Sequence, residues 1–252
     1  MPIVTADAVI LQSFAYGETS RILRLLTATH GMRSVIAKGT RGPRSRFGGL
    51  LEPFTCGVAT FYFKESRELQ TLSAFELVRS HQALGCDLIR FGGASLLAEL
   101  VICVTREDSH PDLFAPMILA LERIEAEPAA TLESAVLSEG WRLVASLGFA
   151  PELDTCIDCG SDPAAGTDAL FDHAAGGLRC AACASGAPGR RLPKHAIHAL
   201  RRMACGEPVE LTRTEGHWWL LSRWLEHHVL EGASLRSLGF LAETRSDASC
   251  DV

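Results

Sequence analysis

Over the first 80 residues apolar positions recur in short runs of period two; beyond residue 81 they recur at spacings of three and four. The segments ADAVILQSF, SRILRLLTA, GMRSVIAKG, FTCGVATFYF and ELQTLSAFELV read as five strands, set apart by turns at Tyr16-Gly17-Glu18, His30-Gly31 and Glu65-Ser66-Arg67. Five short strands at such close spacing predict a small barrel. Phe61 and Phe63 share one strand face and are expected in its core. LIRFGGASLLAELVICVT places Leu88, Phe91, Leu96, Leu100 and Val104 at helical spacing, with Gly92 and Gly93 as a weak point or a close-packing site. HPDLFAPMILALERIEA and LESAVLSEGWRLVASLGF predict two further helices, the second ended by Gly148. After a cysteine segment over 150–186, KHAIHALRRMACG and HWWLLSRWLEHHVLEG predict two more, with Trp218, Trp219 and Trp224 on an apolar packing face. LRSLGFLAE is short, and TRSDASCDV reads as a frayed polar tail.

Charge adds a local contrast. The 252 residues carry a formal net charge of -6, yet residues 1–80 hold ten Lys/Arg against six Asp/Glu. Residues 81–252 hold fourteen against twenty-four. KGTRGPRSRFGG, from Lys38 to Gly49, has four cations and no acid, and the acid-free stretch extends back to Arg33. Such a loop is often only solvated surface. Three features favour a phosphate-gripping loop: the charges are unpaired in sequence, the glycines allow close backbone approach, and the loop lies in a small barrel, an architecture that holds single strands. The candidate nucleic-acid residues are therefore Arg33, Lys38, Arg41, Arg44 and Arg46, with Phe47 placed to stack on a base.

The nine cysteines do not form a disulfide framework. Cys156-Ile-Asp-Cys159 and Cys180-Ala-Ala-Cys183, twenty residues apart, have the spacing of two metal knuckles, and the stretch between them predicts two short strands and a turn. Four thiolates close the shell of one zinc ion and leave no position to activate water, so the metal is expected to be structural. Between Thr155 and Pro188 the only large apolar residues are Ile157, Leu170, Phe171 and Leu178, too few for an unaided core. His173 is expected at a surface turn, His227 and His228 on different faces, and Cys56, Cys86, Cys103 and Cys205 as small buried hydrophobes. No G-x-S-x-G, P-loop, G-x-G-x-x-G or HExxH is present, so no enzyme class has positive support. No secretory leader or membrane-length apolar run is visible, so the expected compartment is the cytoplasm.

The run AYGETSRILRLLTATHGMRSVIAKGTRGPRSRFGGLLEPF resembles the N-terminal barrel of the RecO recombination-mediator family. Leu153-Asp154-x-Cys156-x-x-Cys159-Gly160 with Gly176-Gly177-Leu178-x-Cys180-x-x-Cys183 resembles that family's zinc segment, and Arg236-Ser237-Leu238-x-Phe240-Leu241 its C-terminal signature. The resemblance implies an α+β, multi-domain protein. Residues 1–80 would be a five-stranded OB-fold β-barrel that binds DNA. Residues 81–149 and 187–241 would form an α-helical domain, 150–186 an inserted four-cysteine zinc-ribbon module, and 242–252 a flexible tail. It implies a non-enzymatic mediator of DNA repair and homologous recombination that binds single- and double-stranded DNA and anneals complementary strands. With RecR, and in some settings RecF, it would load RecA onto DNA coated with single-strand-binding protein, whose acidic tail would meet the helical domain. It also implies nucleoid association, with zinc on Cys156, Cys159, Cys180 and Cys183. Two rivals stand beside it: an RNA- or ribosome-associated OB-fold zinc protein, and a thiol oxidoreductase using the CxxC pairs.

Overall fold

Alternation in the first 80 residues does what period two requires: it turns one set of side chains inward on every strand. β1 (Ile3–Tyr16), β2 (Ser20–Thr27), β3 (Gly31–Ala37), β4 (Thr55–Tyr62) and β5 (Leu69–Ser80) form a closed barrel in the order β1-β2-β3-β5-β4. β3 and β5 pair in parallel and every other neighbour is antiparallel. Ile10, Leu23, Leu25, Val35, Phe61 and Leu72 fill the interior at 0–1% exposure. A bulge between Ile10 and Gln12 re-aims the second half of β1. This computed structural model describes residues 2–40, 47–105, 110–163, 168–230 and 234–250, the last five by backbone alone.

The segment after the basic loop returns into the barrel. Phe47 and Leu51, each 1% exposed, join the interior cluster. Arg21 clasps the segment from outside, donating to the Leu51 carbonyl at 3.2 Å and to Glu52 at 2.7 Å. Phe54 sits at φ 65°, a conformation that costs a non-glycine residue, and is held there by its N–H bond to the Ile10 carbonyl at 2.7 Å and by burial.

The chain divides into two compact units, Met1–Ala126 with Leu235–Val252, and Glu127–Ser234. The helices grouped as one domain by sequence thus fall in both. In the first unit, α1 (Leu88–Val104) starts at Asp87, whose carboxylate accepts from the Arg90 N–H at 2.9 Å. α2 (Phe114–Ala126) and α6 (Arg236–Cys250) pack against α1. Gly92 is the close-packing site, since a Cβ there would lie 2.6 Å from the Leu241 side chain. The short segment LRSLGFLAE and the tail expected to fray are instead one helix as far as Cys250.

In the second unit, α4 (Lys194–Ala204) and α5 (Glu215–Trp224) pack against α3 (Leu132–Ser146), whose Trp141 is fully buried beside Trp224. Glu133 accepts from the Thr214 hydroxyl at 2.6 Å and the Trp218 indole N–H at 2.9 Å, pinning the start of α5. The cysteine segment adds β6 (Asp168–Asp172), β7 (Gly177–Arg179) and β8 (Arg190–Pro193), in the order β7-β6-β8. β6 and β7 are the two strands expected between the knuckles, and β8, beyond the second knuckle, adds a third to their sheet.

Several side chains depart from expectation. Cys86 and Cys205 are exposed and Cys103 is half-buried, leaving only Cys56 of that set buried, because they stand at helix edges and ends. Trp218 and Trp224 are buried, but Trp219 points away from them and is 38% exposed. Phe63 is half-buried at the barrel mouth, beside His30.

Candidate functional site

Side chains that alternate inward leave an equal set facing out, and register shows which of these meet. Phe14 on β1 stands opposite Ile22 on β2, which stands opposite Ile36 on β3. Gln12, Arg24 and Ser34 form the next outward row. On the other side Tyr16 lies opposite Ser20, and Lys38, exposed, follows directly on β3. Neighbours in such rows are about 4.5–5.5 Å apart between Cβ atoms. Phe14 is 40% and Tyr16 53% exposed on a strand pair that needs neither for its core. The β1–β2–β3 face is thus an apolar, aromatic strip edged by Arg24 and Lys38. The hydroxyl and N–H of Thr40 both reach the Thr19 carbonyl, tying the start of the basic loop to the β1–β2 turn.

The sequence-derived contacts fare unevenly against this surface. Lys38 is on it. Arg41, Arg44 and Arg46 lie outside the described residues. Arg33 shares the inward register of Leu25 and Val35, so its guanidinium turns into the barrel mouth. There it lies 5.7 Å from the Phe63 ring centre and donates to the Met32 carbonyl at 2.6 Å. Burial pushes its pKa below the ordinary value. Phe47 requires correction: its ring belongs to the interior cluster, so it is not free to stack on a base. The exposed aromatics of this face are Phe14 and Tyr16, which local pattern hid because the bulge in β1 inverts the alternation just before them.

The second constellation is the thiol cluster. The Cys156–Gly160 turn closes through the Gly160 N–H to Cys156 carbonyl bond at 2.9 Å, and the Cys180–Ala184 turn through Cys183 and Ala184 N–H to the Cys180 carbonyl at 3.1 and 3.0 Å. Gly177 lets the two meet: a Cβ there would lie 2.5 Å from the Glu152 carbonyl. Sγ of Cys156, Cys159, Cys180 and Cys183 all lie within 4.8 Å of one another, with Cys159 and Cys180 at 3.7 Å. A tetrahedron with metal–sulfur bonds near about 2.3 Å has edges of about 3.8 Å, so the cage has the right size. The Cys180 N–H donates to Cys156 Sγ at 3.3 Å, a bond of the kind that orients a metal-bound sulfur. Hydrogen bonding, led by the Cys183 N–H, pulls the Cys180 thiol down to about 6. Sharing with Cys159 and Cys180 pushes the Cys183 thiol up to about 12. Four adjacent thiolates repel one another, and only a cation lets all of them ionise. His173 is outside this cluster; it stands in the β6–β7 turn as expected, but half-buried, its ring packed between Phe171 and Trp219.

A barrel closed in this order, with a four-thiol cage in a second unit, defines an OB-fold protein that carries a cysteine metal-type module. A family model described as Recombination protein O N terminal matches residues 1–81, and one described as Recombination protein O C terminal matches 86–239. The DNA repair protein RecO of Anaeromyxobacter sp. (strain K) is 34% identical over 250 residues, covering 95% of this chain and 96% of that protein. That of Rubrobacter xylanophilus is 34% identical over 237 residues, covering 92% and 93%. That of Myxococcus xanthus is 32% identical over 251 residues, covering 96% and 98%. The chain belongs to the RecO family of DNA repair proteins. Among the described residues no helix is long and apolar enough to cross a membrane.

Proposed function

We propose that this chain is a non-catalytic recombination mediator whose barrel binds single- and double-stranded DNA. The contacts are the β1–β2–β3 face and the loop carrying Lys38, Arg41, Arg44 and Arg46. The observation that carries the reading is the pairing of exposed Phe14 and Tyr16 with Arg24 and Lys38 on one face of an OB barrel. Cations there neutralise two repelling backbones, while sequence-blind contacts leave base edges free to pair. That is the physical requirement for annealing. One zinc ion on Cys156, Cys159, Cys180 and Cys183 holds the knuckles together; it supplies folding free energy and no reaction chemistry. Working in the cytoplasm on chromosomal DNA, the protein acts with RecR, and in some settings RecF. It opens DNA coated with single-strand-binding protein to RecA and binds that protein's acidic tail through its helices.

Annealing of complementary oligonucleotides precoated with single-strand-binding protein, across a salt series, tests the reading. Changing Lys38, Arg41, Arg44 and Arg46 to Ala removes up to four phosphate contacts. The slope of log affinity against log salt on single strands should flatten by up to about 3, at about 0.7 per contact. A quadruple variant that binds and anneals like the parent overturns the assignment.

A further inference from the structure

The second unit holds an open cleft of about 620 Å³ that neither the thiol cage nor the barrel face explains, lined by His173, Gly189, Trp219, Arg223, Glu226 and His227. Its walls come from three places. β6 ends at Asp172 and delivers His173, while pairing of Phe171 with Arg190 sets β8 beside it. α5 contributes Trp219 and Arg223, four residues apart and so on one face. A π-helical turn, Leu225–Val229, then follows. Such turns are rare and concentrate at functional sites. This one brings the His227 and His228 rings to 4.8 Å, although adjacent residues of an α-helix point apart. His228 stacks on Trp224 at 3.9 Å and donates to the His173 carbonyl.

Four features of the cleft are only partly satisfied by the packing around them. Trp219 is 38% exposed on a helix whose other tryptophans are buried. The Arg190 guanidinium lies 4.6 Å from the Trp219 ring centre, and no carboxylate among the described residues pairs with it. Arg223 is exposed and, among the described residues, tied only to Glu226, at 3.0 Å. His173 meets Trp219 edge to face at 5.0 Å, and its buried Nε2 has no hydrogen-bond partner among the described residues. Burial, with Arg223 and His227 nearby, pushes the His173 imidazole below its ordinary value although Asp172 pulls the other way. The ring is thus a neutral wall.

An indole plane, a guanidinium stacked on it and a second guanidinium alongside are the parts of a base-and-phosphate socket. We infer that the cleft takes one unpaired base and its flanking phosphate from single-stranded polynucleotide. The base takes the place of the Arg190 guanidinium on Trp219, and Arg190 and Arg223 move onto the phosphate. The indole face that Arg190 covers favours a planar base over an acidic peptide, which would use the cations but not the plane. The barrel and the cleft are separate grips, so one chain can hold two strands. The inference extends the polynucleotide reading and can fail without it.

The test is anisotropy titration of a dye-labelled five-nucleotide thymidine oligomer with the zinc-loaded full chain, which reads affinity in every variant, with tryptophan quenching followed in parallel. It compares the parent, the barrel quadruple variant, Trp219→Ala, Trp219→Phe and Arg190→Ala/Arg223→Ala. Base–aromatic stacking of ordinary strength predicts a loss of about tenfold in affinity for Trp219→Ala, with Trp219→Phe restoring most of it. Quenching should persist in the barrel variant and vanish with Trp219. Zinc content and melting temperature should match the parent throughout. Unchanged affinity in Trp219→Ala, quenching that survives without Trp219, or displacement of the oligomer only by a Phe-containing acidic peptide overturns the inference. Loss in the barrel variant alone supports the barrel and rejects the cleft.

Discussion

Removing the Glu99 carboxylate should undock α6 from α1. Glu99 sits mid-helix in an otherwise apolar run of α1, where an acid has no place in a packed stripe. Its Oε2 accepts from the Ser237 N–H at 3.0 Å and the Ser237 hydroxyl at 2.7 Å, so a side chain of one helix caps the first turn of another. Ser237 is only 5% exposed, so water cannot replace both bonds. A hydrogen bond to a charged group contributes about 1.5–3 kcal/mol, and a negative charge at a helix start about 0.3–1 more. Because Glu99 is half-buried, water offsets part of this, and Glu99→Ala should cost about 2–3 kcal/mol. For a chain of this size that is a fall of about 5–10 °C in Tm, read by calorimetry on the zinc-loaded protein. Ser237→Ala, which loses only the hydroxyl bond, should cost about 1 kcal/mol. In the double variant it should add nothing to Glu99→Ala. A Glu99→Ala protein melting within about 1 °C of the parent, or strictly additive costs, refutes the capping account.

Other consequences are independent of that contact. Gly177→Ala drives a Cβ onto the Glu152 backbone, and should destabilise the second unit by about 2 kcal/mol and speed loss of metal to a chelator; parent-like metal retention would count against it. Metal analysis should find about one zinc per chain, and Cys180→Ser should lose the ion and the β6–β7 pairing, read by amide exchange. Burial pushes the Cys56 thiol up to about 11 from 9.0, with Arg79 opposing and Glu122 and Glu125 adding to the rise. The folded state then keeps its proton where the unfolded state has lost it, so this stability is present below pH 9 and lost towards 11. Denaturant midpoints should therefore fall more steeply between pH 9 and 11 for the parent than for Cys56→Ala. Phe14→Ala and Tyr16→Ala should each weaken single-strand binding by about 1–3 kcal/mol while leaving Tm unchanged, measured by oligonucleotide titration.

Much of this protein is written locally. Period-two runs place all five barrel strands, because alternation and strand geometry are the same fact. Two CxxC turns at fixed separation mark the cage, because each turn presents both of its sulfurs without help from afar. Neither feature depends on a neighbour distant in the chain. What local pattern could not supply was which exposed-looking residues are exposed. Phe47 follows a run of cations and glycines, yet it enters the core because Arg21 and Glu52 clasp its segment onto the barrel. Arg33 turns inward and Phe14 outward through the register of the sheet and a single bulge, which only strand pairing defines. The tail is helix as far as Cys250, and its helix is capped and received by Glu99 and Gly92, some 140 residues earlier. Trp219 and the two histidines of the π-turn come together with Arg190 and His173 only after β8 and α5 are in place. Strands, the helices before α6 and the metal ligands have causes within a few residues of themselves, so the chain's order of amino acids suffices to locate them. Which charges and rings face solvent has its cause in pairing and packing between distant segments, so it exists only once the chain has folded.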